Sequence, residues 1–244
     1  LPNFQTPPAN LPGEGRFRRR THYVTPNASG IRDYAPGDPF SRIHWRSSAR
    51  TGELMVKTFE LDPTSDVWVI TDMDQSVQFG SGDESTEEYV VRIAASIACR
   101  YVNANRSVGL MSFGETFELI EPERGLRLLD RIYESLAVVN AVGQVPIDNI
   151  LIEEQRRFGR HTTLVIITSS AVSNWVTTVQ SFVQRGIRVA VVLVDPLSFG
   201  GEISSSQVYA ELTGSGILTY VVKQNDSLPL VLNASTAGGD VWQG

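Results

Sequence analysis

A short apolar run that ends in a cluster of oxygen-bearing side chains places the strongest constraint on how this chain can fold. Residues 67–70 read Val-Trp-Val-Ile with no polar alternation, which predicts a strand buried on both faces of a parallel sheet. Asp72, Asp74 and Ser76 follow at alternate positions. Because open α/β sheets usually bind ligands at the carboxyl end of a central strand, these oxygens could converge on one hard cation. They could equally cap a strand-to-helix turn, and the sequence leaves both interpretations open.

Alternating strand and helix patterns continue through the rest of the chain. Apolar runs predict strands, and apolar residues at helical spacing predict the helices between them. Strands are expected at 108–113, 117–120, 162–168, 187–195 and 217–222, and helices at 84–103, 124–138, 150–158, 174–185 and 207–212. The first two of these strands flank Gly114-Glu115, which predicts a hairpin. The fold class is therefore α/β, with a doubly wound, mainly parallel sheet.

The first 60 residues differ from this pattern. Residues 1–15 contain four prolines, so we predict that residues 1–30 form an extended arm, within which His22 to Val24 could add a short edge strand. Turns at Pro36-Gly37 and Thr51-Gly52 predict an N-terminal β module over 31–60, with one strand around Ile43 to Trp45 and another at 54–59. The α/β domain is then expected over 61–233, followed by a flexible tail over 234–244.

Charge is distributed unevenly along the chain. Residues 1–60 carry a net charge of +4 and residues 61–244 a net charge of −10, so the body is not expected to bind nucleic acid. No apolar run reaches the roughly 20 residues that a membrane-spanning helix needs. We therefore expect a cytoplasmic domain, tethered to a membrane only if an anchor lies upstream of Leu1.

Common catalytic motifs are missing from the sequence. It contains no Gly-x-Gly-x-x-Gly after a strand, no Walker-type Gly-Lys-Ser/Thr and no Gly-x-Ser-x-Gly. Asp72 and Asp74 do match the Asp-x-Asp of some phosphatases, which makes a metal-dependent hydrolase the alternative hypothesis. Its phosphate site would need a downstream lysine and an acidic pair, and neither Lys57 nor Lys223 follows a suitable strand end. A non-catalytic protein-interaction domain is the favoured interpretation.

Residues 31–60 carry the most distinctive motif of the chain. They contain, in order, Arg32-Asp33-Tyr34, Pro36-Gly37-Asp38, Arg42-Ile43-His44-Trp45 and Ala49-Arg50-Thr51-Gly52-Glu53-Leu54. This order resembles the signature of the bacterial domain-of-unknown-function 58 family, except that the family usually carries an acidic residue in place of His44. The resemblance implies a von Willebrand factor A-like domain preceded by this module, an upstream membrane anchor, and a MoxR-type AAA+ ATPase as partner.

Two roles are open for the charged side chains of this signature. Arg42, His44 and Arg50, beside a Trp45 that we expect to be buried, could form the polar rim of a partner-binding surface. Alternatively, ion pairs among the signature residues hold the module together. The residues assigned to the structural part of the signature are Arg32, Asp33, Tyr34, Pro36, Gly37, Asp38 and Trp45.

The resemblance also implies a metal site, from which this sequence departs. The von Willebrand A-type motif Asp-x-Ser-x-Ser is represented by Asp72, Asp74 and Ser76. The loop that should supply a threonine offers Ile147, with Asp148 beside it as a substitute ligand or a helix cap. Serines at 169 and 170 replace the expected aspartate of a third loop. Affinity for a hard cation follows the number of charged oxygen ligands, so we predict no cofactor beyond weakly held Mg²⁺ or Ca²⁺.

Overall fold

The structure is a computed structural model that describes residues 30–33, 45–58, 66–160 and 162–232. These residues fall into two compact units, the first comprising 30–33 and 45–58 and the second comprising 66–160 and 162–232. The predicted edge strand at His22 to Val24 lies outside the described residues. So do Tyr34, Pro36, Gly37, Asp38, Arg42 and His44 of the signature.

The first unit contains two strands and one helix. β1 (Gly30–Asp33) pairs antiparallel with β2 (Met55–Thr58), with Gly30 opposite Thr58 and Asp33 opposite Met55. α1 (Trp45–Thr51) lies between them in the chain. The Met55 N–H donates to the Ser48 hydroxyl at 2.9 Å and joins the helix to β2. The predicted N-terminal β module is therefore present as a two-stranded sheet.

The prediction of a strand around Ile43 to Trp45 was wrong at Trp45, where α1 begins, and Ile43 and His44 lie outside the described residues. Alternation over only three residues does not separate a strand from the first turn of a helix. The helix ends where Gly52 adopts a φ of 78°, a left-handed conformation that glycine tolerates. Trp45 is 66% exposed, so the expectation of a buried indole was also wrong.

The second unit is built around a six-stranded sheet. Its strands are β3 (Val67–Asp72), β4 (Val108–Phe113), β5 (Phe117–Glu123), β6 (Thr163–Thr168), β7 (Arg188–Val194) and β8 (Leu218–Val222). They lie in the order β5-β4-β3-β6-β7-β8, and only β5 is antiparallel to its neighbour. The predicted doubly wound, mainly parallel sheet is confirmed, and β3 is central as its apolar run indicated.

Helices cover both faces of this sheet. They are α2 (Thr86–Asn103), α3 (Leu126–Val138), α4 (Ile147–Glu154), α5 (Val176–Gln184), α6 (Ser206–Gly214) and the short α7 (Leu228–Val231). One hydrophobic core lies between the sheet and α2 and α3, and the other lies between the sheet and α4, α5 and α6. Alternate residues of β3 serve the two cores, Val67 and Val69 the first, Trp68 and Ile70 the second. Within the described ranges, no helix is long and apolar enough to cross a membrane.

The topology separates two edges of the sheet. At the carboxyl edge, where β3, β4, β6, β7 and β8 end, lie the connections 73–85, 114–116, 139–146, 169–175, 195–205 and 223–227. At the opposite, amino edge, the same strands begin. A functional site in such a sheet is expected at the carboxyl edge.

Candidate functional site

Asp72 ends β3 with a carboxylate that is only 1% exposed. The Thr168 hydroxyl donates to its Oδ2 at 2.6 Å, and the Asp74 N–H donates to its Oδ1 at 3.2 Å. Burial raises the pKa of this carboxyl from 3.8 to about 6, an effect opposed by the Thr168 and Asp74 hydrogen bonds and increased slightly by the Asp74 charge. Both oxygens of Asp72 are thus engaged by donors of the chain itself.

Asp74 caps the turn that follows β3. Its Oδ1 accepts the Ser76 N–H at 2.9 Å at the start of a 3-10 turn over Gln75–Val77. Asp74 is buried, whereas Ser76 is exposed. The structure therefore brings Asp72 and Asp74 together through the backbone between them, and it places both carboxylates in the role of turn caps.

The loop 139–146 docks on the end of β3 through a glycine. The Gly143 N–H donates to the Met73 carbonyl at 3.0 Å, and the Gln75 N–H donates to the Gly143 carbonyl at 2.9 Å. A Cβ at residue 143 would lie 2.4 Å from the Phe113 carbonyl oxygen and 2.8 Å from the Met73 carbonyl oxygen. This close approach leaves room only for glycine. No sequence motif indicated this role of Gly143.

A second contact that sequence reasoning missed is made by Gln78. Its Nε2 donates to the Asp72 carbonyl at 3.0 Å, and its Oε1 accepts the Thr86 hydroxyl at 2.7 Å. The Ser169 hydroxyl donates to the Val77 carbonyl beside it at 2.7 Å. Gln78 thereby joins the end of β3 to the first residue of α2, next to the loop that follows β6. Only the glutamine's position after a turn could have indicated this role, and that signal is weak.

The other two loops of the implied metal site offer an aliphatic side chain, a hydrogen-bonded aspartate and serines in place of the expected threonine and aspartate. Ile147 is buried in the core under α4. Asp148 accepts the Thr178 hydroxyl at 2.7 Å and links α4 to α5, so the alternative that it caps α4 was wrong. Pro146 occupies the cap position instead. The Ser169 hydroxyl is already used by the Val77 carbonyl.

These side chains do not fit a tightly bound divalent cation. Ile147 has no oxygen to offer a cation at Asp72, and the Thr168 hydroxyl and the Asp74 N–H already occupy one acceptor site on each Asp72 oxygen. Within the described ranges, no cluster of three or more His, Cys, Asp or Glu residues could hold a metal ion. The burial of Asp72 also argues against a phosphatase role, because a nucleophilic carboxylate must reach its substrate.

We therefore expect Mg²⁺ and Ca²⁺ to bind at millimolar affinity or weaker. The reason is the incomplete set of charged oxygen ligands around the buried Asp72 carboxylate, because affinity for a hard cation follows the number of such ligands. Isothermal titration calorimetry of the whole chain with each cation is the measurement. Micromolar affinity that disappears in Asp72→Ala would contradict this prediction.

The carboxyl edge has a second feature, a set of exposed apolar side chains. Of the ten large hydrophobic residues in the second unit that are exposed, seven lie at this edge. We call them the apolar edge, and they are Phe117, Val138, Val142, Val145, Val172, Leu197 and Ile203. Phe117 stacks on Phe113 with ring centroids 4.3 Å apart. In the described residues, the carboxyl-edge connections also hold seven acidic residues and one lysine. Asp74 and Asp195 are buried, and the other five acidic residues give the apolar edge an acidic surround.

Hydrogen bonds hold the loops of the apolar edge in place. Glu87 Oε1 accepts the Ala141 N–H at 2.8 Å and fixes loop 139–146 to α2. Asp195 accepts both the N–H and the hydroxyl of Ser205, at 2.7 and 3.0 Å, and closes loop 195–205. The Tyr89 hydroxyl donates to Glu84 and accepts the Asn225 N–H at 2.9 Å. The buried polar groups of this edge thus build a preformed surface.

The structure describes only some of the signature residues of the first unit. Arg32 and Asp33 belong to β1, which pairs with β2. Arg50 is exposed in the last turn of α1, and Trp45 is exposed at its start. The other proposed partner-binding residues, Arg42 and His44, lie outside the described residues.

Comparison with known proteins identifies relatives for most of the chain. The family model described as "Protein of unknown function DUF58" matches residues 30–199. Uncharacterized protein YeaD of Bacillus subtilis is 28% identical over 127 residues, which is 52% of this chain and 30% of that protein. Uncharacterized protein Rv1480 of Mycobacterium tuberculosis is 25% identical over 201 residues, which is 78% of this chain and 56% of that protein. The chain thus spans 30% and 56% of the lengths of these two curated relatives.

Two solved structures resemble the fold at low identity. An aerotolerance-related membrane protein from Bacteroides fragilis gives a TM-score of 0.46 at 16% identity, covering 69% of this chain and 98% of that one. BatB, a conserved hypothetical protein from Bacteroides thetaiotaomicron, gives a TM-score of 0.47 at 16% identity, covering 68% of this chain and 92% of that one.

Proposed function

The chain belongs to the DUF58 family, and we propose that its second unit is a non-catalytic protein-interaction domain that receives a partner on the carboxyl edge of the sheet. The observation that carries the proposal is the apolar edge, since it gathers seven of the ten exposed large hydrophobic residues of this unit. Exposed apolar side chains gathered at one edge with a polar surround are typical of protein-binding sites.

The polar chemistry of the same edge supports binding over catalysis. Asp72, Asp74 and Asp195 are buried, and each accepts hydrogen bonds from the chain itself. Carboxylates used in this way fix the positions of loops, and their burial hinders direct access by a substrate. A preformed loop surface also lowers the entropy cost of association, because few side chains and loops must be ordered on binding.

The acidic surround of the apolar edge indicates the kind of partner. Complementarity favours a partner that presents apolar side chains with basic residues around them. The resemblance of the signature to its family makes a MoxR-type AAA+ ATPase the partner that we propose to test first. This domain would then act as an adaptor or assembly factor for the ATPase.

Replacing Val172 and Ile203 by aspartate is expected to weaken partner binding at least 30-fold. Both side chains are more than half exposed, so the folded state should tolerate the change, whereas two carboxylates in an apolar interface would be desolvated. The measurement is the Kd for a MoxR-type ATPase from the same source cell, by biolayer interferometry. The matched control is Ile152→Asp, an exposed apolar residue on α4 away from this edge.

The same titration includes Arg50→Ala to separate the two roles of the signature. Unchanged Kd with a lower Tm means that Arg50 holds the first unit together, and a weaker Kd with unchanged Tm means that it contacts the partner. If the ATPase binds wild type and the Val172/Ile203 variant equally, the carboxyl edge is not the docking surface.

A further inference from the structure

The two edges of the sheet carry opposite charge. At the amino edge, the described connections hold six arginines and one acidic residue, Asp66, and Arg188 begins β7. We call these seven arginines the arginine edge, and they are Arg106, Arg124, Arg156, Arg157, Arg160, Arg185 and Arg188. The carboxyl-edge connections hold seven acidic residues and one lysine. The charges of the second unit are therefore separated along the strand direction, with positive charge at the amino edge and negative charge at the carboxyl edge.

Neighbouring acidic residues reduce the positive charge of this edge without removing it. Arg157 pairs with Glu121 at 2.7 Å and with Glu154. When the adjoining turn of each flanking helix and the last three residues of β5 are counted with the amino edge, it holds nine arginines and six acidic residues, a net charge of +3. The described residues of the second unit as a whole have twelve basic and twenty acidic residues, a net charge of −8. The amino edge is thus positive on an acidic body.

The arginines form a local cluster under β6 and β7. The Arg185 Nη1 donates to Gln155 Oε1 at 3.3 Å, which joins connection 185–187 to the turn that holds Arg156 and Arg157. A Cβ at Gly186 would lie 3.8 Å from Cγ of Arg160. Arg156, Arg160 and Arg185 are all exposed. Arginines near the C-terminal end of a helix also interact favourably with the helix dipole. Each helix end carries only about half a unit charge, so the dipole offsets less than the charge of one guanidinium group.

The amino edge lacks the apolar residues that a protein interface needs at its centre. Only one of the exposed large hydrophobic residues of the second unit, Leu126, lies there, compared with seven at the carboxyl edge. Protein interfaces have an apolar core, whereas an anionic lipid surface attracts basic side chains by charge alone. Guanidinium groups also hydrogen-bond phosphate oxygens in pairs.

We propose that the arginine edge binds the anionic phospholipid headgroups of a membrane surface. The polypeptide reaches the second unit at this edge, through Asp66, and its upstream sequence includes a basic run of Arg16, Arg18, Arg19 and Arg20 within a net charge of +4 over residues 1–60. With strands of about six residues at roughly 3.3 Å each, the apolar edge would stand about 20 Å farther from the lipid. This inference does not depend on the proposed function, because it concerns the opposite edge of the sheet.

The test is co-sedimentation of the whole chain with vesicles of phosphatidylcholine containing 30% phosphatidylglycerol. We expect binding at 100 mM salt that is lost at 500 mM, because salt screens the attraction. Arg156→Gln combined with Arg160→Gln should weaken binding by about 25-fold, since each basic residue near an anionic surface contributes about five-fold. Upstream arginines are unchanged in this variant, so the loss reports the arginine edge alone.

The matched control removes two positive charges elsewhere, Arg92 on α2 and Lys223 at the carboxyl edge, both replaced by glutamine. It should bind within two-fold of wild type. An equal loss in the control and the Arg156/Arg160 variant would mean that only net charge matters. Unchanged binding by the Arg156/Arg160 variant, equal binding to pure phosphatidylcholine vesicles, or binding to a soluble polyanion without vesicle binding would each overturn the proposal. Tm values of both variants within 2 °C of wild type establish that the comparison is between folded proteins.

Discussion

Gly143→Ala is expected to lower the free energy of unfolding by about 3 kcal/mol. The added Cβ would meet the carbonyl oxygens of Phe113 and Met73 at 2.4 and 2.8 Å, distances that force the backbone apart. The two hydrogen bonds that join Gly143 to Met73 and Gln75 would be strained at the same time. Urea unfolding followed by circular dichroism gives the free energy, provided that the transition is two-state.

Gly159→Ala is the matched control for this change. A Cβ at Gly159 would have no neighbour within 4 Å, so the same substitution should change stability by less than about 0.5 kcal/mol. Since Gly143 also positions Val142 and Val145 in the apolar edge, the Gly143→Ala protein should bind its partner more weakly at temperatures where it remains folded. Equal stability of the two alanine variants would show that loop 139–146 moves freely away from β3.

Thr168→Val is expected to destabilise the fold by about 3 kcal/mol at pH 7.5 and by about 1 kcal/mol at pH 4.5. At pH 7.5 the substitution leaves a buried, ionised Asp72 without its shortest hydrogen bond, and bonds to charged groups contribute about 1.5–3 kcal/mol. At pH 4.5 most Asp72 carboxyls in the folded state are protonated and lose only a neutral interaction. The control is Thr71→Val. Thr71 is fully buried, and its hydroxyl makes only a long, 3.4 Å hydrogen bond to the Met111 carbonyl.

The wild-type protein should itself show the underlying pH dependence. Folding raises the Asp72 pKa from 3.8 to about 6, so the folded state binds this proton more tightly than the unfolded state does. The resulting stabilisation is complete below about pH 4 and is lost as the pH rises through 6; at about 1.4 kcal/mol per pKa unit it amounts to roughly 3 kcal/mol. The hydrogen bond from Thr168 lowers the pKa of Asp72, so removing this donor should raise that pKa further. An effect of Thr168→Val that is the same at pH 4.5 and pH 7.5 would rule out this account.

The strands and most helices could be predicted because their signals are local. Val67 to Ile70 and the run that became β7 are continuous apolar segments, and buried parallel strands require little more than that. Trp45 was misplaced because three alternating residues carry too little information, and the exposed indole lies at a helix start. The short α7 was missed because four residues give no period to detect.

The contacts at the end of β3 could not be predicted in the same way, because their partners are distant in sequence. Thr168 was part of a predicted strand, but nothing in its neighbours indicates that its hydroxyl meets a carboxylate 96 residues earlier. Gly143 shows its role only once loop 139–146 is seen against Met73. Asp72 and Asp74 were singled out from the sequence because small acidic residues after a buried strand either bind ligands or cap turns. The choice between those two roles depends on the three-dimensional contacts.

The central position of β3 also has a consequence for the protein while the ribosome is making it. β3 pairs with β4, whose sequence follows soon after, but its other neighbour, β6, is made much later. At about 5–20 residues per second, Asp72 leaves the ribosome roughly 5–20 seconds before Thr168 does. During that interval the nascent chain exposes one side of its central strand and an uncompensated carboxylate. That carboxylate disfavours premature burial, so the charge that is costly in the finished core helps to keep the half-made sheet from pairing with the wrong strand.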